Sequence, residues 1–251
     1  MPNPTACLLV IGNEVLSGRT QDLNIKFIAT GLGAIGMPLV EVRVIPDVRD
    51  TIIAVVNESR SRFDHVFTTG GIGPTHDDIT SECVAAAFGV PWEQHPEAWA
   101  RMERHYEPGQ FNAARQRMAT MPRGATLIDN AVSIAPGFTI GNVHVMAGVP
   151  RIMQAMFSTL APTLPGGTPV QSRAVHAIGL LEGAIAEGLG AIQGRYPALD
   201  LGSYPFYRVT GSGVALVAKG TDGAALAACI AEVTAMIEAG GKVPVQGEPA
   251  V

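Results

Sequence analysis

The chain has 251 residues, 47% of them apolar and 16% charged, with a net charge of −5; this excludes a disordered polymer and predicts a main domain with a smaller companion. Only three of the seventeen cations are lysine (Lys26, Lys219 and Lys242), so there is no basic stripe to track a nucleic-acid backbone. No apolar segment reaches membrane-spanning length or carries the flanks of a signal peptide, and the expectation is a cytoplasmic protein with neither nucleic acid nor membrane as partner.

TACLLVI, from Thr5 to Ile11, reads as a buried strand, and Asp22 to Ile35 follows with Leu23, Phe27, Ile28 and Leu32 at helical spacing. Next come the strand PLVEVRVI, the helical DTIIAVVNESR and the strand HVFTT, which runs into a glycine loop. After the loop Ile79, Cys83, Val84, Ala87 and Phe88 mark another helix face. Strands alternating with helices imply a parallel sheet covered on both faces, and such sheets place ligands at the carboxyl ends of their strands. Cys7, Cys83 and Cys229 are far apart in apolar runs, which suits buried free thiols.

Residues 92–123 break this rhythm, reading as two helices about the Pro108-Gly109 turn. The stretch is locally basic through Arg101, Arg104, Arg115, Arg117 and Arg123. It reads either as a solvated helical face or as a lid that brings an arginine to a phosphate. The strand-like ATLI, SIAPGFTI and NVHVMA follow, then a helix from Arg151 to Leu160 and the linker LAPTLPGGTP. Beyond it the order strand, helix, strand, strand, helix predicts a small ferredoxin-like α+β domain. The expected division is 1–164 for an α/β domain and 168–251 for the companion.

GLGAIG, Gly31 to Gly36, fits the dinucleotide fingerprint in letters only. It closes a helix and leads into a strand, where the fingerprint must follow a strand and open a helix; its glycines read as cap and turn residues. The stretch TTGGIGPTHDDIT, residues 68–80, has the context that GLGAIG lacks. Gly70, Gly71 and Gly73 let backbone N–H groups approach an anionic ligand, and a helix start favours negative charge. Thr75 and Asp78 have capping-box spacing, but one carboxylate suffices for a cap, and Asp77 and Asp78 point different ways. A carboxylate about 4 Å from a phosphate oxygen costs on the order of 4 kcal/mol at an effective dielectric of 20. Mg2+ reverses that sign by taking a few carboxylates together with phosphate oxygens.

GNEVLSGRTQDLN, after the first strand, offers Glu14, Ser17, Asp22 and Asn24, and IPDVRD, after the second, offers Asp47. Glu14 and Asp47 lie just past strand ends and face the expected crevice. Capping and ligand contact stay open for Asp22 and Asp50.

GNEVLSGRTQDLN, IPD, TTGGIGPTHDDIT, APGF and MAGVP, in that order over the first 160 residues or so, resemble the molybdopterin-binding domain. That domain is shared by molybdenum-cofactor biosynthesis proteins and the N-terminal region of competence/damage-inducible protein A. LGSYPF and GVALVAKGTD resemble the small domain that follows in the latter branch. The resemblance implies a three-layer α/β/α fold with a mostly parallel sheet, and ligand recognition by Glu14, Asp47, Gly70, Gly71, Gly73, Thr75, Asp78 and Thr80. It also implies either adenylylation of molybdopterin or metal-dependent cleavage of ADP-ribose-like pyrophosphates. Asn13 replaces the usual aspartate of that pattern, and Ile152 a glutamate.

The resulting expectation is a Mg2+-dependent hydrolase of ADP-ribose-like compounds, with Asp78 and Asp47 on the metal and Asp77 or Glu14 orienting water. The glycines, with Thr75, Thr80, Ser17 and Asn24, would hold the ligand. The alternatives are a non-catalytic molybdopterin carrier and an adenylyl transferase. A homo-oligomer is expected.

Overall fold

The computed structural model describes residues 2–209 and 211–249, which fall into two compact units that meet in sequence between Thr168 and Pro169. In chain order the first unit contains β1 (Ala6–Ile11), α1 (Asn13–Leu16), α2 (Asn24–Ala34), β2 (Leu39–Ile45), α3 (Arg49–Arg62), β3 (His65–Thr69) and α4 (Thr80–Phe88). It continues with β4 (Trp92–Gln94), α5 (Pro96–His105), α6 (Ala113–Arg117), β5 (Thr120–Pro122), β6 (Thr126–Ile128), β7 (Gly137–Ile140), β8 (Val143–Met146) and α7 (Pro150–Leu160).

The main sheet is ordered β2-β1-β3-β8-β7-β6. β2, β1, β3 and β8 run parallel, and β7 and β6 add an antiparallel edge. Every residue of β1 is buried, because alternate side chains enter different cores. Cys7, Leu9 and Ile11 meet Ile52 and Val56 of α3 and Cys83 and Val84 of α4. Ala6, Leu8 and Val10 meet Ile28 and Leu32 of α2 and Met153 and Phe157 of α7. Helices thus cover both faces, the condition for a strand that reads as one continuous apolar run.

The structure departs from the sequence reading in four places. Asn13–Leu16 forms a short helix where a loop was expected. In GLGAIG, Gly31 and Gly33 lie inside α2, and only Gly36 takes a positive φ, of 72°. Gly31 is required for a different reason, since a Cβ there would collide with the Phe157 ring. The arm spanning 92–123 contains the two expected helices, but its ends also pair as the antiparallel strands β4 and β5. Finally, α4 begins at Thr80, so the Thr75–Asp78 pair closes a separate turn before it.

The second unit has β9 (Gln171–Ile178), α8 (Glu182–Arg195), β10 (Asp200–Arg208), β11 (Gly211–Gly220), α9 (Gly223–Ala239) and β12 (Val245–Gln246). Its four-stranded sheet is antiparallel in the order β10-β11-β9-β12. Val175, Leu216, Leu226 and Val233 lie in its core. Asp222 caps α9 by accepting from the N–H groups of Ala224 and Ala225 at 2.9 and 3.0 Å.

Within the main sheet His144 is 3% exposed. Its two ring nitrogens lie 3.0 Å from His65 Nδ1 and 2.9 Å from Thr139 Oγ1. Burial, with His65 adding to it, holds His144 down from 6.5 to about 3. A histidine lowered on folding binds a proton more readily in the unfolded chain, so stability is full above the unfolded value and declines as pH falls through that window. The unfolding free energy should therefore drop as pH falls from 6.5 towards 4. His144→Phe, which keeps a ring against Phe67, should flatten that dependence in denaturant melts; identical slopes for the two proteins would show that His144 is not the titrating group.

Candidate functional site

The parallel strands β1, β3 and β8 end on the same side of the sheet, and the loops leaving them converge. Gly70 donates its N–H to the carbonyl of Met146 at 3.1 Å, tying the end of β3 to that of β8. Its φ is 104°, and a Cβ there would strike the carbonyl of Ile11 at the end of β1. Gly71 has a φ of 68° and leaves room only for the Thr80 hydroxyl against it. Thr80 donates its N–H to the Gly71 carbonyl at 2.9 Å, so the first amide of α4 is already engaged by the turn. Glycine is required at these two positions on both conformational and steric grounds.

A cleft of about 480 Å3 opens beside this turn. Gly70, Gly71, Gly73 and Asp78 form one side, Glu14 and Thr20 another, and Ile152 and Met156 an apolar side. Two carboxylates line it, and no lysine, arginine or histidine does so among the described residues. Asp78 folds back on its own turn, its Oδ2 accepting from the Thr75 N–H at 2.8 Å and from the Thr75 hydroxyl. Gly73 makes this possible, since a Cβ there would lie 2.6 Å from Asp78 Oδ2.

Asp47 is not among the residues that line the cleft. Its Oδ2 accepts the Asn13 N–H at 2.8 Å, so β2's exit loop pins the short α1 in place. Asp47 is nonetheless raised above the ordinary carboxylate range, first by burial, with Glu14 and Asp77 adding to it as like charges. Asp77 is exposed. The Thr75 hydroxyl has one proton, and the geometry gives it to Asp78.

The structure thus brings Asp47, Glu14 and Asp77 into one electrostatic neighbourhood and sets Asp78 and Glu14 on the cleft wall. Thr80 is buried beneath Gly71 with an unpartnered hydroxyl. Asn24 is 4% exposed; its Nδ2 donates to the Gly148 carbonyl at 2.8 Å, while its Oδ1 has no partner. Asn24 and Thr69 share a small void of about 50 Å3 with Glu14 and Asp22. Ser17 donates to the Glu14 carbonyl at 3.2 Å, and neither Ser17 nor Thr75 lines the cleft. Asp22 caps α2, its Oδ1 accepting from Asn24 and Ile25 N–H groups at 3.0 and 2.8 Å.

No cluster of three or more histidine, cysteine, aspartate or glutamate side chains is arranged to hold a metal among the described residues. The donor set fits Mg2+ in its usual manner, which takes one or two carboxylates and completes its shell with water and phosphate oxygens. The two carboxylates on the cleft wall, Glu14 and Asp78, are the observation behind that fit.

Sequence reasoning missed Thr20 and Met156 on the cleft wall and Arg117 behind it. The first two carry no motif, and Arg117 is one of five arginines in a basic stretch with nothing in the spacing to single it out.

Residues 7–166 match the family described as "Probable molybdopterin binding domain", and residues 169–246 match "FAD synthase, middle domain". A CinA-like protein of Parasynechococcus marenigrum is 35% identical over 192 residues, covering 72% of this chain and 46% of that protein. A protein of Pyrobaculum calidifontis is 32% identical over 212 residues, covering 80% of this chain and 81% of its own length. The crystal structure of CinA from Thermoplasma acidophilum superposes with a TM-score of 0.61 at 30% identity, over 65% of this chain and 99% of that one. The chain spans about half the length of the CinA-like relatives it matches.

A carboxylate raised on folding favours the protonated form in the native state, so its ionisation at neutral pH opposes stability. Asp47→Asn should therefore raise the thermal midpoint of metal-free protein at pH 7 by about 2 °C or more. It should also shrink the further rise that millimolar Mg2+ gives the wild type. A lower midpoint in calorimetry, with an undiminished Mg2+ response, would remove Asp47 from the cation site.

Proposed function

The chain belongs to the family of probable molybdopterin-binding domains, and from that premise we propose that its first unit is a Mg2+-dependent hydrolase of ADP-ribose-like nucleoside diphosphate compounds. The observation that carries the reading is a cleft walled by a glycine turn and by carboxylates, with no cation on its wall among the described residues. Such a cleft repels a bare pyrophosphate and accepts one that arrives with a divalent ion. In this reading Asp78 and Asp47 hold the metal, which when bound neutralises the phosphoryl oxygens and polarises them. Gly70, Gly71 and Gly73 bring backbone to the pyrophosphate, and Thr80, Thr75, Ser17 and Asn24 support the ligand-holding loops. Glu14 or Asp77 orients the attacking water and takes its proton. Water adds to one phosphorus, the bridging P–O bond breaks, and AMP and ribose 5-phosphate leave.

The match of the second unit to the middle domain of FAD synthase supports a phosphoanhydride ligand, since FAD contains one. The β-α-β-β-α-β order of that unit supports its reading as a ferredoxin-like module, and we assign it to assembly of a homo-oligomer.

Two observations favour a second reading, a molybdopterin carrier without catalysis. Asn13 contributes its backbone N–H to Asp47 rather than a further carboxylate, and the apolar Ile152 occupies the cleft wall. Adenylyl transfer would need both ATP and a pterin acceptor in the same cleft.

Incubation with ADP-ribose and Mg2+ should release AMP, and Asp78→Asn should lower the rate at least about a hundredfold, the scale of losing a group that acts in the transition state. No release by either would leave the carrier reading, and equal release by both would remove Asp78 from the chemistry. Calorimetry with a pterin phosphate in the presence and absence of Mg2+ then identifies a carrier by metal-independent binding.

A further inference from the structure

The cleft wall has no cation, yet one guanidinium stands directly behind it. Arg117, the last residue of α6, lies in a void of about 10 Å3 lined by Ile72, Gly73 and Asp78 on the side of the glycine turn and by Trp92 and Met118 of the arm. Ile72, Gly73, Asp78 and Met118 also line the main cleft, so the same turn separates the two spaces.

The other arginines of the arm with contacts are answered locally. Arg101 is paired with Glu97 and Asp129, and Arg123 with Glu93. Arg115 donates to the Gln110 carbonyl and lies over the Tyr106 ring. Arg117 makes no ion pair among the described residues; its Nη2 donates to the backbone carbonyl of Asp78 at 3.2 Å, and its Nε is buried without an acceptor. The void is at the lower limit of the roughly 10–15 Å3 that a single water needs.

The side chain is held in wait by its neighbours. Its guanidinium lies 5.1 Å from the centroid of the Trp92 ring. That ring is fixed by its own Nε1–H, which donates to Ser81 Oγ and to the Thr120 carbonyl, both at 3.0 Å. A planar cation with a free, desolvated donor, preorganised on an aromatic face, is the arrangement that captures a phosphoryl oxygen by paired N–H donors. Gly73 puts no side chain into the wall between it and the cleft.

We propose that Arg117 is an anion-binding residue of the cleft, supplying from the arm the one protein cation that contacts the ligand's phosphoryl oxygens. This rests on the reading that the cleft holds a phosphoanhydride, and it makes the 92–123 arm part of the binding site.

The test is calorimetric titration of the full chain with inorganic pyrophosphate in Mg2+, comparing wild type with Arg117→Ala, Arg117→Lys and, as a control on the same arm, Arg123→Ala. Arg117→Ala should weaken pyrophosphate binding at least about tenfold, the scale of one charge-assisted contact. Arg117→Lys should recover part of the loss, and Arg123→Ala should bind as the wild type does. Binding of Mg2+ alone should be the same in all four. Should Arg117→Ala not fold, Arg117→Gln replaces it, judged by the same criteria. Binding within twofold of wild type in Arg117→Ala, an equal loss in Arg123→Ala, or no binding of pyrophosphate by the wild type overturns the inference. ADP-ribose cleavage, measured in parallel, separates the two ideas. Cleavage with pyrophosphate binding indifferent to Arg117 sinks the arginine and keeps the hydrolase. Arginine-dependent binding without cleavage keeps the arginine and sinks the hydrolase.

Discussion

Everything at the candidate site depends on how closely three strand ends can be brought together. The carbonyl of Ile11 at the end of β1 presses on Gly70 at the end of β3, and Gly70 in turn bonds the last residue of β8. Packing at that density is possible because the residue at the junction has no side chain and takes a φ of 104°. With the strand ends locked, the loops that carry Glu14 and Asp78 leave the sheet from fixed points. The cleft is then a product of backbone geometry, and its side chains are free to serve chemistry.

What those side chains do is accumulate negative charge. Burial, with Glu14 and Asp77 adding to it as like charges, pushes Asp47 above its ordinary range, which opposes folding at neutral pH. A stable fold built for stability alone would place no acid there. On the proposed reading, the arrangement is the cost of a site that becomes comfortable only when positive charge enters it. On the same reading, Arg117 behind the glycine turn and a divalent ion in front of it would be complementary answers to the same field.

The alternation of strand and helix was legible because the longer helices of the first unit bury apolar residues at helical spacing between apolar strands. The all-apolar β1 announced helices on both faces, and Leu8 and Leu9 do enter opposite cores. The glycine loop was legible through its context between a strand and a helix. Less could be read where long-range contact decides the outcome. Nothing local marks Gly31 as the seat of the Phe157 ring, or Trp92–Gln94 as a strand, since its partner lies beyond the two helices of the arm. The start of α4 was placed early because the Thr75–Asp78 spacing is that of a cap, whereas the pair closes a turn of its own. Arg117 was hidden for the plainest reason: its distinction is a buried Nε without an acceptor, and absences in space leave no trace in spacing.

The crowding around the glycine turn also divides the loop by how freely it can diverge. At 70 and 71 any Cβ meets a backbone carbonyl or a buried threonine, so these positions are closed to variation while the fold persists. His76, by contrast, projects almost fully into solvent, its side chain 98% exposed, with Asp77 beside it at 3.9 Å. Descendants of this sequence can therefore vary the tip of the loop without disturbing its base, and the molecule keeps its stability while that tip changes.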